Sequence, residues 1–411
     1  MEPTMLHTHT QTEGPFPTIK NNRTDLALVA IMSVLIVVAV GAMRTTSPPA
    51  LWNTLIRVPP GSGSSSMAAE LTEPLSTFER NTQALVASDS DGAFQVLLLS
   101  LKENEPLAQR RIVLTALQGA SPAVVPVLMT ALTDADPGVR AGSAQVLGMR
   151  HEYRAIATLT LATHDTKADV RLQAVRALGA LDAWQALPRL EQLEVNEGIY
   201  AVRQAASTAK EAFRGKMAQE IGVSASQLRD ISVTATESPQ IYAVTASDLY
   251  ARHGTRWELV SQLPDAPLAL ATGADPQLIY LATISSGLYR SLDSGQTWEH
   301  VEFGLRTPTQ LTVTAVVVDP QNSSRVYIAL ATQSAKPGAK DALGIFASRD
   351  SGGTWVLLPN SPSALITKRL VMDSQSEGYL YGMIDDTPWR YTLPSDIPGS
   401  SIGWVGSPTH N

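Results

Sequence analysis

The chain has 411 residues, with 31 Lys and Arg against 38 Asp and Glu and a formal net charge of −7. That balance argues against a nucleic-acid binder, which needs a basic footprint. There is no cysteine, which excludes thiol catalysis, thiolate metal sites, disulfides and a lipoprotein anchor.

Residues 1–25 are polar, with His7 and His9 among many Thr, and are expected to be a disordered tail. Leu26 to Met43 is an uncharged apolar run of 18 residues with Ser33 as its one hydroxyl. At ~1.5 Å per residue it spans about 27 Å, enough for a bilayer core, so 26–43 is expected to be a single transmembrane helix. Lys20 and Arg23 precede the run and Arg44 and Arg57 follow it, so charge counting leaves the orientation nearly even. The long leader favours an uncleaved signal-anchor. Residues 44–74, with Pro59-Pro60-Gly61-Ser62-Gly63, are expected to be a flexible linker.

Residues 75–218 turn Ala-, Leu-, Gln- and Arg-rich and predict an α-solenoid. Val139-Arg140-Ala141-Gly142 through Leu147-Gly148 aligns with Val170-Arg171-Leu172-Gln173 through Leu178-Gly179. A marker Arg recurs at Arg110, Arg140, Arg171 and Arg203, at gaps of 30, 31 and 32. Asp136 and Asp169 sit a few residues before a marker Arg, which suggests an Arg–Asp ladder joining successive repeats. The Asp134–Gly138 stretch reads as a loop and helix start. Asp89-Ser90-Asp91-Gly92 opens like a calcium loop but reads as a helix-start turn, because no Glu follows at its twelfth position. The region resembles short HEAT-like repeats of the kind noted in phycobilisome lyases. The resemblance implies a curved stack with a concave face and carries no lyase residues with it.

Residues 230–411 change to strand patterns. Ile241-Tyr242, Ile279-Tyr280, Val326-Tyr327 and Leu380-Tyr381 each follow a turn signal, and each unit then closes on a Trp, at 257, 298, 355 and 404. Ser291-x-Asp293-x-Gly295-x-Thr297-Trp298 recurs as Ser348-x-Asp350-x-Gly352-x-Thr354-Trp355. The spelling resembles the Asp-box, or BNR repeat, of bacterial neuraminidases and other β-propellers. That implies a hairpin device: the Asp ties off the turn, the Gly takes positive φ, and the Trp wedges against the rest of its own blade. The expected fold class is multidomain α + β: one transmembrane helix, a HEAT-like α-solenoid, then an Asp-box β-propeller of about four blades. A ring of four blades that closes alone and one completed by a partner both remain open. Gln333 to Leu343, with Lys336 and Lys340, is expected to be a solvated loop and a contact candidate.

The search for chemistry assigns no catalytic, cofactor-binding or metal residue. His occurs at 7, 9, 151, 164, 253, 300 and 410, without metal-ligand spacing. Asp385-Asp386 are strand neighbours that face opposite ways. Sialidases that share the Asp-box use an Arg-Ile-Pro motif, which is missing from this sequence. The expected function is therefore a membrane-anchored, non-enzymatic scaffold that presents solenoid and propeller surfaces to protein partners. Similarity to the Asp-box propellers that assist photosystem II assembly adds a role in assembling a membrane complex. The alternative is a cell-surface glycan-binding or glycoside-hydrolase-like protein. Resemblance to exported Asp-box proteins places the chain in a bacterial inner membrane, N-terminus cytoplasmic and bulk outside, with no nucleic-acid partner.

Overall fold

The computed structural model describes residues 73–394, except 237, 305–310, 334–339, 373–377 and 386. The expected tail, transmembrane helix and most of the linker lie outside these residues, as do Lys336, Asp386 and Trp404. Among the described residues, no helix is long and apolar enough to cross a membrane.

Nine helices come first among the described residues: α1 (Glu73–Ala87), α2 (Asp91–Leu99), α3 (Leu107–Gln118), α4 (Val124–Ala131), α5 (Pro137–Met149), α6 (Ile156–Ala162), α7 (Ala168–Ala180), α8 (Leu187–Asn196) and α9 (Tyr200–Ile221). The odd-numbered helices stack in order, and α4, α6 and α8 each pack on the helix that follows. Local chemistry sets the starts. Ser90 caps α2, its hydroxyl accepting from the Ala93 N–H at 3.3 Å. Asp136 caps α5 ahead of Pro137, accepting from the Gly138 N–H at 2.8 Å, as the first turn of a helix requires. Small residues let the repeats approach: Gly148 lies against Ala177, and a Cβ there would fall 2.7 Å from the Ala177 Cα. Phe94, Leu117, Leu128, Leu147, Leu159 and Leu178 fill the space between the helices and are fully buried. Burying such side chains stabilises by roughly 1.5–3 kcal/mol each.

Four antiparallel meanders follow: β1 (Asp230–Val233), β2 (Ile241–Val244), β3 (Asp248–His253) and β4 (Arg256–Gln262); β5 (Pro267–Thr272), β6 (Ile279–Thr283), β7 (Leu288–Ser291) and β8 (Glu299–His300); β9 (Leu311–Val318), β10 (Val326–Gln333), β11 (Lys340–Ser348) and β12 (Val356–Leu357); and β13 (Thr367–Met372), β14 (Tyr379–Ile384) and β15 (Thr387–Thr392). Every strand pairs with its neighbour in sequence. The sheets meet along their first strands, β1 with β5, β5 with β9 and β9 with β13. They therefore stand as four propeller-like blades.

Of the expected loop from Gln333 to Leu343, Gln333 and Lys340 to Leu343 are strand, and 334–339 lie outside the described residues. Gln333 ends β10 and pairs with Lys340, which opens β11. The hydrogen-bond ladder extends the hairpin further than composition suggested, so Lys340 belongs to a strand and not to a free excursion.

A column of tyrosines explains the stacking. Tyr242, Tyr280, Tyr327 and Tyr381 occupy the same place in the second strand of each sheet, and all are buried. Tyr242 joins a cluster shared by the first and second sheets, Tyr280 one shared by the second and third, and Tyr327 one shared by the third and fourth. Tyr381 of the fourth sheet instead meets Val195 of α8. On the other side of the gap, Trp257 of the first sheet packs in the cluster that contains Phe213 and Met217 of α9. The end of the solenoid thus sits where a next blade would sit, between the first and fourth sheets. Helix α8 packs on β1 and on β13, β14 and β15.

Candidate functional site

The two Ser-x-Asp-x-Gly-x-Thr-Trp boxes have the same internal wiring. The Asp293 carboxylate accepts from the Thr297 N–H at 2.9 Å, the Thr297 hydroxyl at 2.6 Å and the Ser291 hydroxyl at 2.8 Å. The Ser291 hydroxyl oxygen accepts in turn from the Gly295 N–H at 2.8 Å. Asp350 accepts from the Thr354 N–H, the Thr354 hydroxyl and the Ser348 hydroxyl, each at 2.8 Å, and Ser348 accepts from the Gly352 N–H at the same distance. Gly295 and Gly352 have φ of +90° and +86°. The Thr297 and Ser291 donors hold Asp293 down to about 2. Partial burial opposes the same effect at Asp350, and its hydrogen bonds still keep it below the usual carboxylate range. A carboxylate held this way is a poor general acid or base.

The box tryptophans pack in clusters shared between their own blade and the preceding sheet. Trp298 packs on the cluster of Tyr242, Val244 and Leu249, and its Nε1 donates to the Ser261 hydroxyl of the first sheet at 3.3 Å. Trp355 packs against the cluster of Tyr280 and Val301, edge-on to Phe303 at 5.9 Å. Each indole therefore reaches back to the preceding sheet. The hairpin leans across the gap between sheets, a direction that a one-blade repeat does not encode.

The marker arginines form a ladder, but with partners other than those expected. Arg140 makes a bidentate pair with Asp165, Nε to Oδ2 at 2.6 Å and Nη2 to Oδ1 at 2.8 Å. Arg171 does the same with Glu197, both bonds at 2.7 Å. The remaining nitrogen of each donates to carbonyls of the loop before its own helix: Arg140 to Asp134 and Ala135, Arg171 to Asp165 and Thr166. Arg203 repeats the carbonyl contacts on Glu197 and Gly198. Arg110 is half-buried on α3. Asp136 instead serves its helix cap and accepts the Glu103 N–H at 3.0 Å, while Asp169 is exposed in the first turn of α7. An acid at the start of the same helix, four residues before Arg140 or two before Arg171, does not pair with that Arg, whereas the acid of the following loop does. Asp165 and Glu197 pay a burial cost, and their arginine partners still hold both below the usual range. Arg140, Arg171 and Arg203 are occupied structural groups.

Sequence reasoning missed the charged junction. Glu191 and Glu194 on α8, Lys210 and Arg214 on α9, Asp230 on β1 and Arg369 on β13 converge there. Glu194 accepts from Arg369 Nη1 at 2.7 Å and from Lys210 Nζ. Asp230 accepts the N–H groups of Ile231 at 2.9 Å and Leu270 at 2.7 Å. Arg214 donates to the Leu228 carbonyl. Glu191, Lys210, Arg214, Asp230 and Arg369 line a cavity of about 30 Å³. Desolvation raises Glu191 to about 7, against the pull of Arg369. Desolvation also raises Asp230, although two backbone N–H groups oppose it. Arg369 is pushed up by Glu191, Glu194 and Asp230 despite its own burial.

A second cleft, of about 350 Å³, lies between the solenoid and the first sheet. Tyr153, Trp184, Lys216, Met217, Glu220 and Arg252 line it. The Arg252 guanidinium lies 5.7 Å above the Trp184 ring, and Glu220 accepts the Trp257 indole N–H at 2.9 Å. Among the described residues, no three His, Asp or Glu side chains group as a metal site. Asp385 pairs with Lys368 at 2.6 Å.

Residues 94–170 match the HEAT repeats family. The oligoxyloglucan-reducing end-specific xyloglucanase of Emericella nidulans is 27% identical over 128 residues, 29% of this chain and 15% of that protein. The chain thus spans about 15% of the length of that curated relative. Among solved structures, the GH74 xyloglucanase from Xanthomonas campestris is 17% identical, with a TM-score of 0.31 over 40% of this chain and 27% of its own. YCF48 from Cyanidioschyzon merolae is 13% identical, with a TM-score of 0.31 over 40% of this chain and 51% of its own.

Proposed function

We propose that the chain is a non-enzymatic interaction protein that presents its helical repeats and its propeller-like sheets as one joined surface to protein partners. In this reading Leu26–Met43 anchors it in a bacterial inner membrane with the bulk outside, where it assists assembly of a membrane complex. The observation that carries the reading is the wiring of the conspicuous acids. Asp293 and Asp350 are tied inside turns, Asp165 and Glu197 are tied to arginines, and the two acids with raised affinity for protons share a space of about 30 Å³. A glycosidase needs two carboxyl groups ~5–10 Å apart across a cleft that admits a sugar ring; 30 Å³ admits about one water, and in the cleft of about 350 Å³ Asp182 is paired with Lys216 and Glu220 with Arg252 and the Trp257 indole.

The second reading is a glycan-binding or glycan-cleaving surface protein. It is favoured by the match to a xyloglucanase. Purified full-length protein in mild detergent, incubated with xyloglucan oligosaccharides, separates the two. Release of new reducing ends above a heat-treated control refutes the non-enzymatic reading. Affinity purification from the native membrane tests the partner side: a stoichiometric membrane protein set is expected, and recovery of the chain alone contradicts it.

A further inference from the structure

The cleft of about 350 Å³ takes its walls from the solenoid and the first sheet. Tyr153 and Trp184 open the same short turn in successive repeats, one before α6 and one before α8, and both line it. Phe213 and Met217 of α9 are buried and give it an apolar side. Trp184 is half-buried under the Arg252 guanidinium. Tyr153 is 61% exposed, so its flat ring is open to a ligand.

The polar lining is charged but balanced. Lys216 pairs with Asp182 at 2.5 Å, and Arg252 pairs with Glu220 at 3.3 Å. Two acids and two bases leave no net charge. An ionic ligand would have to take one partner from a pair and strand its mate beside apolar walls. Neutral hydroxyl groups need not. A paired carboxylate keeps lone pairs and a paired cation keeps N–H donors, so each pair still offers an acceptor beside a donor. That arrangement suits two neighbouring hydroxyls, one donating to the carboxylate and one accepting from the cation. The Arg252 Nε is buried and has no acceptor among the described residues, so the fold leaves donor capacity unused at this cleft.

We propose that the cleft binds a neutral sugar, with the apolar C–H face of a ring laid on Tyr153 and its hydroxyls shared between the Asp182–Lys216 and Glu220–Arg252 pairs. Its volume lies at the small end of ligand pockets, ~300–1,000 Å³, which limits the occupant to one or two rings. The sugar is held and not cleaved, because both acids are tied to cations. The inference goes beyond the scaffold reading and does not depend on what the outer surfaces of the sheets bind.

The experiment is saturation-transfer NMR with calorimetric titration, on the full-length protein in a zwitterionic detergent that has no sugar headgroup. The probes are glucose, galactose, xylose and cellobiose, with glucuronate and glucosamine as charged counterparts. At least one neutral sugar should bind saturably, and about tenfold more tightly than either charged one. Tyr153→Ala should weaken that binding about tenfold, whereas Tyr153→Phe keeps the ring and should bind as the wild type does. Tyr200→Ala removes an exposed tyrosine elsewhere on the solenoid and should change nothing. Asp182→Asn unpairs Lys216 and should move the preference toward glucuronate; Asn tolerates the φ of +48° at this position. The proposal is overturned if no neutral sugar binds saturably, if Tyr153→Ala binds as tightly as the wild type, or if glucuronate binds the wild type best. A protein partner that is lost in Tyr153→Ala, where the wild type binds no sugar, assigns the cleft to a protein contact and overturns it too.

Discussion

Gly295→Ala should destabilise the protein by about 2–4 kcal/mol, and its counterpart Gly352→Ala by about 1 kcal/mol. Both glycines hold a positive φ in equivalent boxes, +90° and +86°, where an L side chain costs roughly 1–2 kcal/mol, partly offset by the lower entropy of the unfolded alanine chain. The two positions differ in what lies beyond. A Cβ on Gly352 would meet nothing closer than 3.5 Å, whereas one on Gly295 would fall 2.2 Å from the Leu249 Cδ2 of the preceding sheet. Leu249 is fully buried among Tyr242, Val244 and Ile279, so it cannot swing clear. Forcing a methyl into such a core costs about 1–3 kcal/mol more. Denaturant titration followed by tryptophan fluorescence reads the difference. Midpoints of the two variants within about 0.5 kcal/mol of each other would refute the claim that the Gly295 box packs directly onto the first sheet.

Trp298→Ala should cost about 2–3 kcal/mol in the same titration, below the usual range for a fully buried aromatic, because the indole is only half-buried; a loss under ~1 kcal/mol contradicts its role between sheets. Arg171→Ala should cost about 2–3 kcal/mol, since it strands the Glu197 carboxylate, while Asp169→Ala should change stability by less than about 1 kcal/mol; reversal of that order would restore the ladder read from sequence spacing. Thr297→Val removes the hydroxyl that bonds Asp293, so the Asp293 midpoint, followed by carboxyl NMR, should rise from about 2 toward the ordinary 3.8. Because its folded value is depressed, the contribution of Asp293 is present above the ordinary value and lost as pH falls toward about 2. An unmoved midpoint in Thr297→Val removes the Thr hydroxyl as the cause.

The hairpin boxes and the tyrosine column were legible because both are local. A turn needs its Asp, Gly and Thr within a few residues, and a pleat repeats every second position. The marker arginines were legible as a column, and their partners were not, because the pairing runs to the next repeat's loop. A signal was present: Asp134, Asp165 and Glu197 recur at gaps of 31 and 32, in step with the arginines. The direction of the indoles was not legible either, since a repeat of one sheet says nothing about which neighbour a side chain will touch. The junction was the least visible part. Glu191 and Glu194 look like ordinary helix-surface acids, and Arg369 like a strand-edge base. Only the return of the chain brings them together, and the same return answers how four blades are completed.

The absence of cysteine from the whole chain makes ring closure directly measurable. The pair Glu194→Cys and Arg369→Cys places a thiol on α8 and another on β13, where the native side chains meet tip to tip at 2.7 Å; a reducible, thiol-specific cross-linker long enough to replace the two side chains joins them, since two cysteines alone are too short to bridge that span. A protease site placed in the 222–229 connection then cuts the solenoid from the sheets. After cross-linking and cleavage, the two halves should run as one species on a denaturing, non-reducing gel and separate on reduction. Halves that separate without reduction would show that the end of the solenoid does not occupy the place between the first and fourth sheets.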